Sequence, residues 1–195
     1  MAEIRCIRGE VALVDEEDLA RCLPYRWRIV KVGRKINKQQ TYVAAKINGV
    51  NNVYLHRFLM DAPKGSRVDH KNRDPLDCRR STNLRWADKF QNAQNKSKHS
   101  QWKGKPTKSR YKGVVWDWRL RTWVARITNQ GKVRHIGVFR DEISAAEAYD
   151  DCSFELHGAY GSRNFPDRIP TKTSGTLFTH RKIWRKPKIV NLSIP

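Results

Sequence analysis

Acidic residues are the scarce class in this chain. Its 195 residues hold 19 Asp and Glu against 40 Lys and Arg, a formal net charge of +21. A chain so basic repels itself unless a polyanion neutralises it. Nucleic acid is the first partner this implies, and an anionic membrane surface the second. Long apolar runs are missing too. None approaches the roughly 18–20 residues needed to span a bilayer, so no membrane segment is expected. Met1 to Cys6 lacks the basic-then-apolar pattern of a secretory signal, and the expected location is cytoplasmic. Paired cysteines are also absent. Cys6, Cys22, Cys78 and Cys152 stand alone with no C-x-x-C spacing, which argues against a zinc ribbon and for reduced, buried thiols. No structural zinc is expected. There is no internal repeat, and the length suits one domain or two small ones.

Read in order, the chain predicts an α+β protein. Ile4 to Val14 is apolar-rich with a turn at Gly9, and Asp15 to Asp18 caps a short helix that ends before Pro24. Tyr25, Trp27 and Ile29 alternate with Arg26, Arg28 and Val30, a half-buried strand. Gly33 to Gln40 reads as a polar turn, Tyr42 to Ile47 as a second strand, and Asn48-Gly49 as a tight hairpin turn. Arg26, Arg28, Lys31, Arg34 and Lys35 form either the basic edge of a supporting sheet or a set of phosphate contacts. Short strands are expected at Val68-Asp69-His70 and at Asn83 to Trp86. Asp88 with Gln91 opens a helix in capping-box fashion, with Phe90 and Ala93 expected on its inner face near Asn92.

Lys96 to Lys112 contains seven basic residues and no acid, a linker by composition. Beyond it, Tyr111 to Phe139 reads as three strands. Asp141 to Glu155 then holds six acids and no base, with Ile143, Ala145, Ala146, Ala148, Tyr149, Cys152 and Leu156 at helical spacing. Gly158 ends that helix. A basic sheet backed by an acidic helix indicates which side meets a polyanion. Residues 168–195 carry seven bases and no acid and read as a tail. The expected domains are therefore 1–96, a basic linker at 97–108, a second domain at 109–167, and the tail.

The residues of 68–92 carry the chemistry. Phosphodiester hydrolysis needs an activated water and a means of stabilising the departing oxyanion. A histidine neutral near pH 7 can take the water's proton. A hard divalent cation on oxygen ligands can stabilise the leaving oxygen. Asp69 offers a carboxylate and Asn92 a carbonyl oxygen, and two such ligands leave room for phosphate oxygens and water, as magnesium prefers. Adjacent strand residues point to opposite faces, so Asp69 and His70 would work from opposite sides of one phosphate.

Leu55-His56-Arg57, Val68-Asp69-His70-Lys71-Asn72, Asp77, Asn83-Leu84-Arg85-Trp86 and Gln91-Asn92 together resemble the HNH endonucleases, especially the homing-type branch of phages and introns. The resemblance covers roughly residues 50–96. It implies a ββα-metal unit of two strands and a helix. His70 would be the general base, with Asp69 and Asn92 the ligands of Mg2+ or Mn2+. Asn83 would pin the loop and orient His70, and His56 would sit near the phosphate or stabilise its turn. The third position of the His-Asn-His pattern is Asn here.

A second resemblance rests on Ser109 to Val114, Trp123 to Ile127, Gly137-Val138-Phe139, Ala145 to Asp150 and Gly158 to Pro166. These pieces, in order and with right lengths, are similar to the APETALA2/ethylene-response-factor DNA-binding domain. There a three-stranded sheet lies in the major groove with a helix on its back. Alternation places Val124, Arg126 and Thr128 on the DNA side and Arg134 on the Ile136 face. Lys112 and His135 match DNA-contacting positions. Arg119 and Arg121, in the first turn, are expected to reach phosphates, and Lys132, opening the third strand, is a further expected DNA contact. Val115, Arg126 and His135 depart from plant members, so target preference does not transfer. Trp116 and Trp118 either stack or pack.

Together these readings give an expected function: a metal-dependent, sequence-directed DNA endonuclease of homing type, from a phage or its bacterial host. Its partner would be double-stranded DNA, and it would act as a monomer or weak dimer. One ββα-metal site cuts one strand at a time. The rival is a non-cleaving DNA-binding regulator with a decayed nuclease fold. A basic RNA-binding protein is a third reading, weakened by the lack of an RNP-like aromatic motif.

Overall fold

The computed structural model describes residues 1–33, 40–98, 101–102 and 105–170. Arg34, Lys35, His99, His180 and most of the 168–195 tail lie outside the described residues. The fold is mixed α+β, with several small antiparallel sheets and few helices. The chain divides into two compact units, Met1–Lys96 and Ser97–Pro195.

The first unit begins with a hairpin of β1 (Ala2–Arg5) and β2 (Val11–Val14), followed by α1 (Glu16–Cys22). A meander of β3 (Arg28–Val32), β4 (Gln40–Ile47) and β5 (Val50–Tyr54) comes next. The β4–β5 turn places Asn48 and Gly49 at φ of 47° and 81°, both in the left-handed region that a two-residue hairpin turn demands. The first strand starts later than the alternation from Tyr25 suggests. Trp27 instead turns its indole into the core, and its Nε1–H donates to the Cys22 carbonyl at 2.9 Å. Around it Val14, Val43, Leu55 and Leu59 are fully buried. This core fixes α2 (Leu55–Leu59), which leaves β5 without a loop.

β6 (Val68–His70) and β7 (Leu84–Trp86) pair antiparallel, with Asp69 opposite Arg85 and His70 opposite Leu84. α3 (Lys89–Gln94) follows at once. Its capping box is complete: the Asp88 carboxylate accepts from the Phe90 and Gln91 backbone N–H groups, and the Gln91 side chain accepts from Asp88 N–H. The face of α3 differs from expectation. Phe90 and Ala93 are exposed, and Asn95 just past the helix is buried. In a six-residue helix apolarity does not set the buried face; the hydrogen bonds of Asn95 do.

In the second unit, β8 (Gln101–Trp102) and β9 (Lys105–Pro106) form a minimal ladder. β10 (Val114–Asp117), β11 (Thr122–Asn129) and β12 (Lys132–Phe139) form an antiparallel sheet. α4 (Glu142–His157) covers one face, where Val114, Ala125, Ile127 and Ile136 meet Ala145, Ala146, Tyr149 and Cys152. Ile143 is not part of that core; it lies in the first turn of α4 and is exposed. Asp150 and Asp151 are buried acids rather than members of a solvated acidic face. Asp150 accepts from the backbone N–H of Asn164 and Phe165, each at 2.7 Å, and Asp151 pairs with Arg168. All four cysteines are free and buried. Among the described residues no helix is long and apolar enough to cross a membrane.

Candidate active site and nucleic-acid interface

The pleat of β6 sends its two central side chains in opposite directions. Both are buried, Asp69 at 7% and His70 at 8% exposure. Asp69 turns toward β7 and α3. Its Oδ2 accepts from Arg85 Nε at 2.9 Å and Nη2 at 2.7 Å. Asn95 Nδ2 reaches both carboxylate oxygens at 3.1 Å and the His70 carbonyl at 2.7 Å. The register that sets Arg85 against Asp69 makes this ion pair a direct cross-strand contact.

His70 turns the other way, onto α2. Its ring meets His56 edge-on at 5.0 Å between centroids, and His56 in turn stacks on Tyr54 at 5.8 Å and lies beside Tyr42. His70 Nε2 lies 3.8 Å from Cys78 Sγ, whose thiol is placed to donate to the Pro75 carbonyl. With the thiol donating to Pro75, sulfur would accept from Nε2–H, the tautomer that leaves the imidazole lone pair on Nδ1. Burial holds the His70 pKa below that of a free histidine, against the opposing pull of Asp69, Asp74 and Asp77. Burial, then His70 and Arg57, lower His56 to about 3. Both rings are therefore neutral near pH 7. Burial also raises the Cys78 thiol, so it is an inert neighbour rather than a thiolate.

The loop between β6 and β7 is held from within and from below. Asn83 Nδ2 donates to the Asp77 carbonyl at 2.6 Å, while its Oδ1 accepts from Asn72 N–H at 2.9 Å. Asn72 and Arg79 both donate to the Asp77 carboxylate. Beneath the loop, Leu13 of β2 exchanges backbone bonds with Leu76 and Cys78. Asp15 accepts from Ser81 N–H and Oγ, and Arg80 pairs with the buried Asp18 of α1. The N-terminal hairpin and α1 thus serve as the floor of this loop.

His70 and His56 therefore meet on one side of β6, Asp69 lies on the other, and Asn83 pins the loop that follows His70. Asn92 lies half-buried on α3, three residues before Asn95 and so on the same helix side. The donor types are those a hard cation takes, a carboxylate and a carboxamide oxygen, although Oδ2 of Asp69 is committed to Arg85 and Oδ1 accepts from Asn95. Among the described residues no cluster of three or more His, Cys, Asp or Glu is placed to hold a metal ion. Sequence reasoning missed two residues. Arg85 stands in the Asn83 to Trp86 motif, and its signal was the strand register. The signal for Asn95 was its three-residue spacing from Asn92.

In the second unit the sheet face away from α4 gathers Arg119, Val124, Arg126 and His135 around one shallow groove. Arg126 and His135 are cross-strand partners, and Thr128 stands opposite Val133. Arg121 and Lys132 are exposed at the two turns. Lys112 is placed differently: its ammonium donates to Ser162 Oγ at 3.0 Å, and its backbone is clasped by Asn164. Arg134 pairs with Ile127, a core residue, and lies within electrostatic reach of Cys152 on α4. Trp116 packs edge-on against Trp118 and Trp123, and Lys108 Nζ lies 3.7 Å from the Trp116 ring centroid. Trp118 remains 75% exposed.

Compared with known proteins, the chain matches no family model, no curated protein and no solved structure.

Proposed function

We propose that this protein is a divalent-metal-dependent, sequence-directed DNA endonuclease of the homing type, built on a ββα-metal HNH unit and an APETALA2-like reading sheet. The observation that carries the reading is the divergence of Asp69 and His70. These neighbours on β6 are both buried, and they address two sides of one strand. An acid on one side and a neutral imidazole on the other suit a scissile phosphate lying across the strand end. The succession of β6, β7 and α3 is the order such a unit requires.

His70 Nδ1 takes a proton from the attacking water. Asn83 keeps the loop that carries His70 in register, and His56 backs the imidazole and fixes its plane. Arg85 and Asn95 hold Asp69 in one rotamer. Asp69 and Asn92 would hold Mg2+ or Mn2+, which when bound supplies Lewis-acid stabilisation of the departing oxygen. The +21 charge supplies attraction to the duplex, and the exposed sheet face supplies contacts to base edges. A single site of this kind cuts one strand per visit, so a monomer nicks and a weak dimer breaks both strands.

One observation favours a rival. The Asp69–Arg85 ion pair neutralises the carboxylate, as a non-cleaving regulator with a decayed nuclease fold would tolerate. Supercoiled plasmid carrying selected target sites, incubated with Mg2+ or Mn2+, separates the two. Nicking or linearisation is expected, and tight binding without either supports the regulator. His70→Ala should lower cleavage at least about a hundredfold, as loss of a general base does, and leave binding intact. Retained cleavage would show that another group takes the proton.

A further inference from the structure

An antiparallel sheet backed by a helix on one side ordinarily turns polar side chains to the other. The second unit does this only in part. Val115 of β10 pairs with Val124 of β11, and Val124 pairs with Val138 of β12. Three valines thus form an unbroken row across all three strands on the face opposite α4. Val138 is 49% exposed, and Val133, on the same face opposite Thr128, is 65% exposed. Val115 is half-buried and Val124, at the centre of the row, is 8% exposed, so the row shows solvent chiefly Val138, with Val133 two rungs away. Strand propensity accounts for a single exposed valine, but two on one face backed by further valines are an apolar surface that wants a partner.

The charge around the row names that partner. The neighbouring rung is Arg126 with His135, and Arg119 lies at the turn. The acid on this face, Asp117, spends Oδ1 on the backbone N–H groups of Arg119 and Leu120. A second copy of the chain would bring like charges together, whereas a polyanion would not. In the major groove of unmodified DNA, the apolar group displayed at base edges is the C5-methyl of thymine. A guanidinium on the next rung matches guanine O6 and N7. Rungs two residues apart are about 6.8 Å apart, close to two base steps of about 3.4 Å.

We propose that the exposed valines Val138 and Val133, on the rungs either side of Arg126 and His135 and backed by Val115 and the buried Val124, read thymine C5-methyl groups, so that the preferred target places thymines beside a guanine contacted by Arg126. This rests on the reading of the sheet as a DNA-binding face. Such contacts would give this sheet a preference for A·T pairs within a basic footprint, which neither arginine nor histidine on its surface would supply.

The test uses the full chain without divalent metal, so that binding is measured without cleavage. A target is first selected from a randomised duplex library. Each thymine in the footprint is then replaced by deoxyuridine, which keeps every hydrogen-bonding group and removes only the methyl. Loss of a buried methyl should weaken binding about fourfold per contacted thymine. Val138→Ala and Val133→Ala, both at exposed positions, should bind non-specific DNA as before yet no longer distinguish thymine from deoxyuridine. Sequence-specific binding that ignores the replacement at every position overturns the thymine reading and leaves DNA binding standing. If the same valine variants then shift the sedimentation coefficient instead, the row is a contact between copies. Absence of any duplex binding overturns the proposal together with the function beneath it.

Discussion

Asn95 shows how much of the candidate site rests on one side chain. Its Nδ2 serves both oxygens of Asp69 and the carbonyl of His70, so one amide ties two adjacent candidate residues to the end of α3. Residues that orient a metal ligand typically contribute 10- to 100-fold in affinity or activity. Asn95→Ala should therefore lower cleavage by about that factor and raise the Mg2+ concentration needed, with metal-free DNA binding unchanged. Wild-type cleavage by this variant would remove Asn95 from the machinery. His56 makes a second residue-scale prediction. Its pKa lies near 3, largely through burial, against about 6.5 in an unfolded chain. The unfolded state then binds the proton first as pH falls, so stability is full above about pH 6.5 and declines below it. Between pH 7 and pH 5 the loss is on the order of 2 kcal/mol from this group, and His70 adds to it in the same direction. Urea midpoints at the two pH values measure the loss. His56→Phe, which keeps the stack on Tyr54, should flatten the difference.

At the scale of elements, legibility follows the local chemistry. The Asp88–Gln91 capping box and the Asn48-Gly49 turn were readable because each is decided by groups within four residues, and both are present. The second sheet and its helix were readable because long alternating and helical periods average over many positions. What escaped was the orientation of short elements. Phe90 and Ala93 look like an inner face, and Ile143 like part of a core, yet all three are exposed. At those places burial is set by partners far away in sequence, Asp69 for Asn95 and the strand faces for α4. Gly113 carries the sharpest elemental constraint. It has φ of 76°, and an added Cβ would strike the Tyr149 ring and lie 2.7 Å from the Arg126 carbonyl. Neither neighbour can yield, since Tyr149 is 3% exposed and Arg126 N–H bonds Gly113 O at 2.8 Å. Gly113→Ala should cost the second unit more than about 2 kcal/mol, combining left-handed strain and overpacking. A separate, earlier unfolding transition of the full chain would report it, together with weakened DNA binding. An unchanged melt would mean that Tyr149 moves freely.

The whole molecule is dominated by its charge, which was legible from composition alone, whereas the placement of each cation was not. A sum of +21 makes a polyanion the expected partner, but does not say which lysines and arginines would meet phosphate. The structure narrows the choice by showing which cations are already engaged. Arg85 is held by Asp69, Arg80 by Asp18, Arg168 by Asp151 and Lys112 by Ser162, so each is anchored to the protein. Arg119, Arg121 and Lys132 are exposed at the turns that flank the sheet face opposite α4, where side chains would reach a DNA backbone running past the sheet. Each phosphate contact releases condensed counterions and contributes roughly 0.9 to the slope of log K against log salt concentration. Replacing Arg119, Arg121 and Lys132 together by alanine in the full chain should reduce that slope by nearly 3, and affinity should fall alike on selected and random duplexes. Arg126→Ala should behave in the opposite manner, keeping most of the slope and losing the preference for the selected site. If the triple variant keeps the slope, the phosphate contacts lie elsewhere, with the basic strands of the first unit next in line; if it alters site preference, these side chains reach bases rather than backbone.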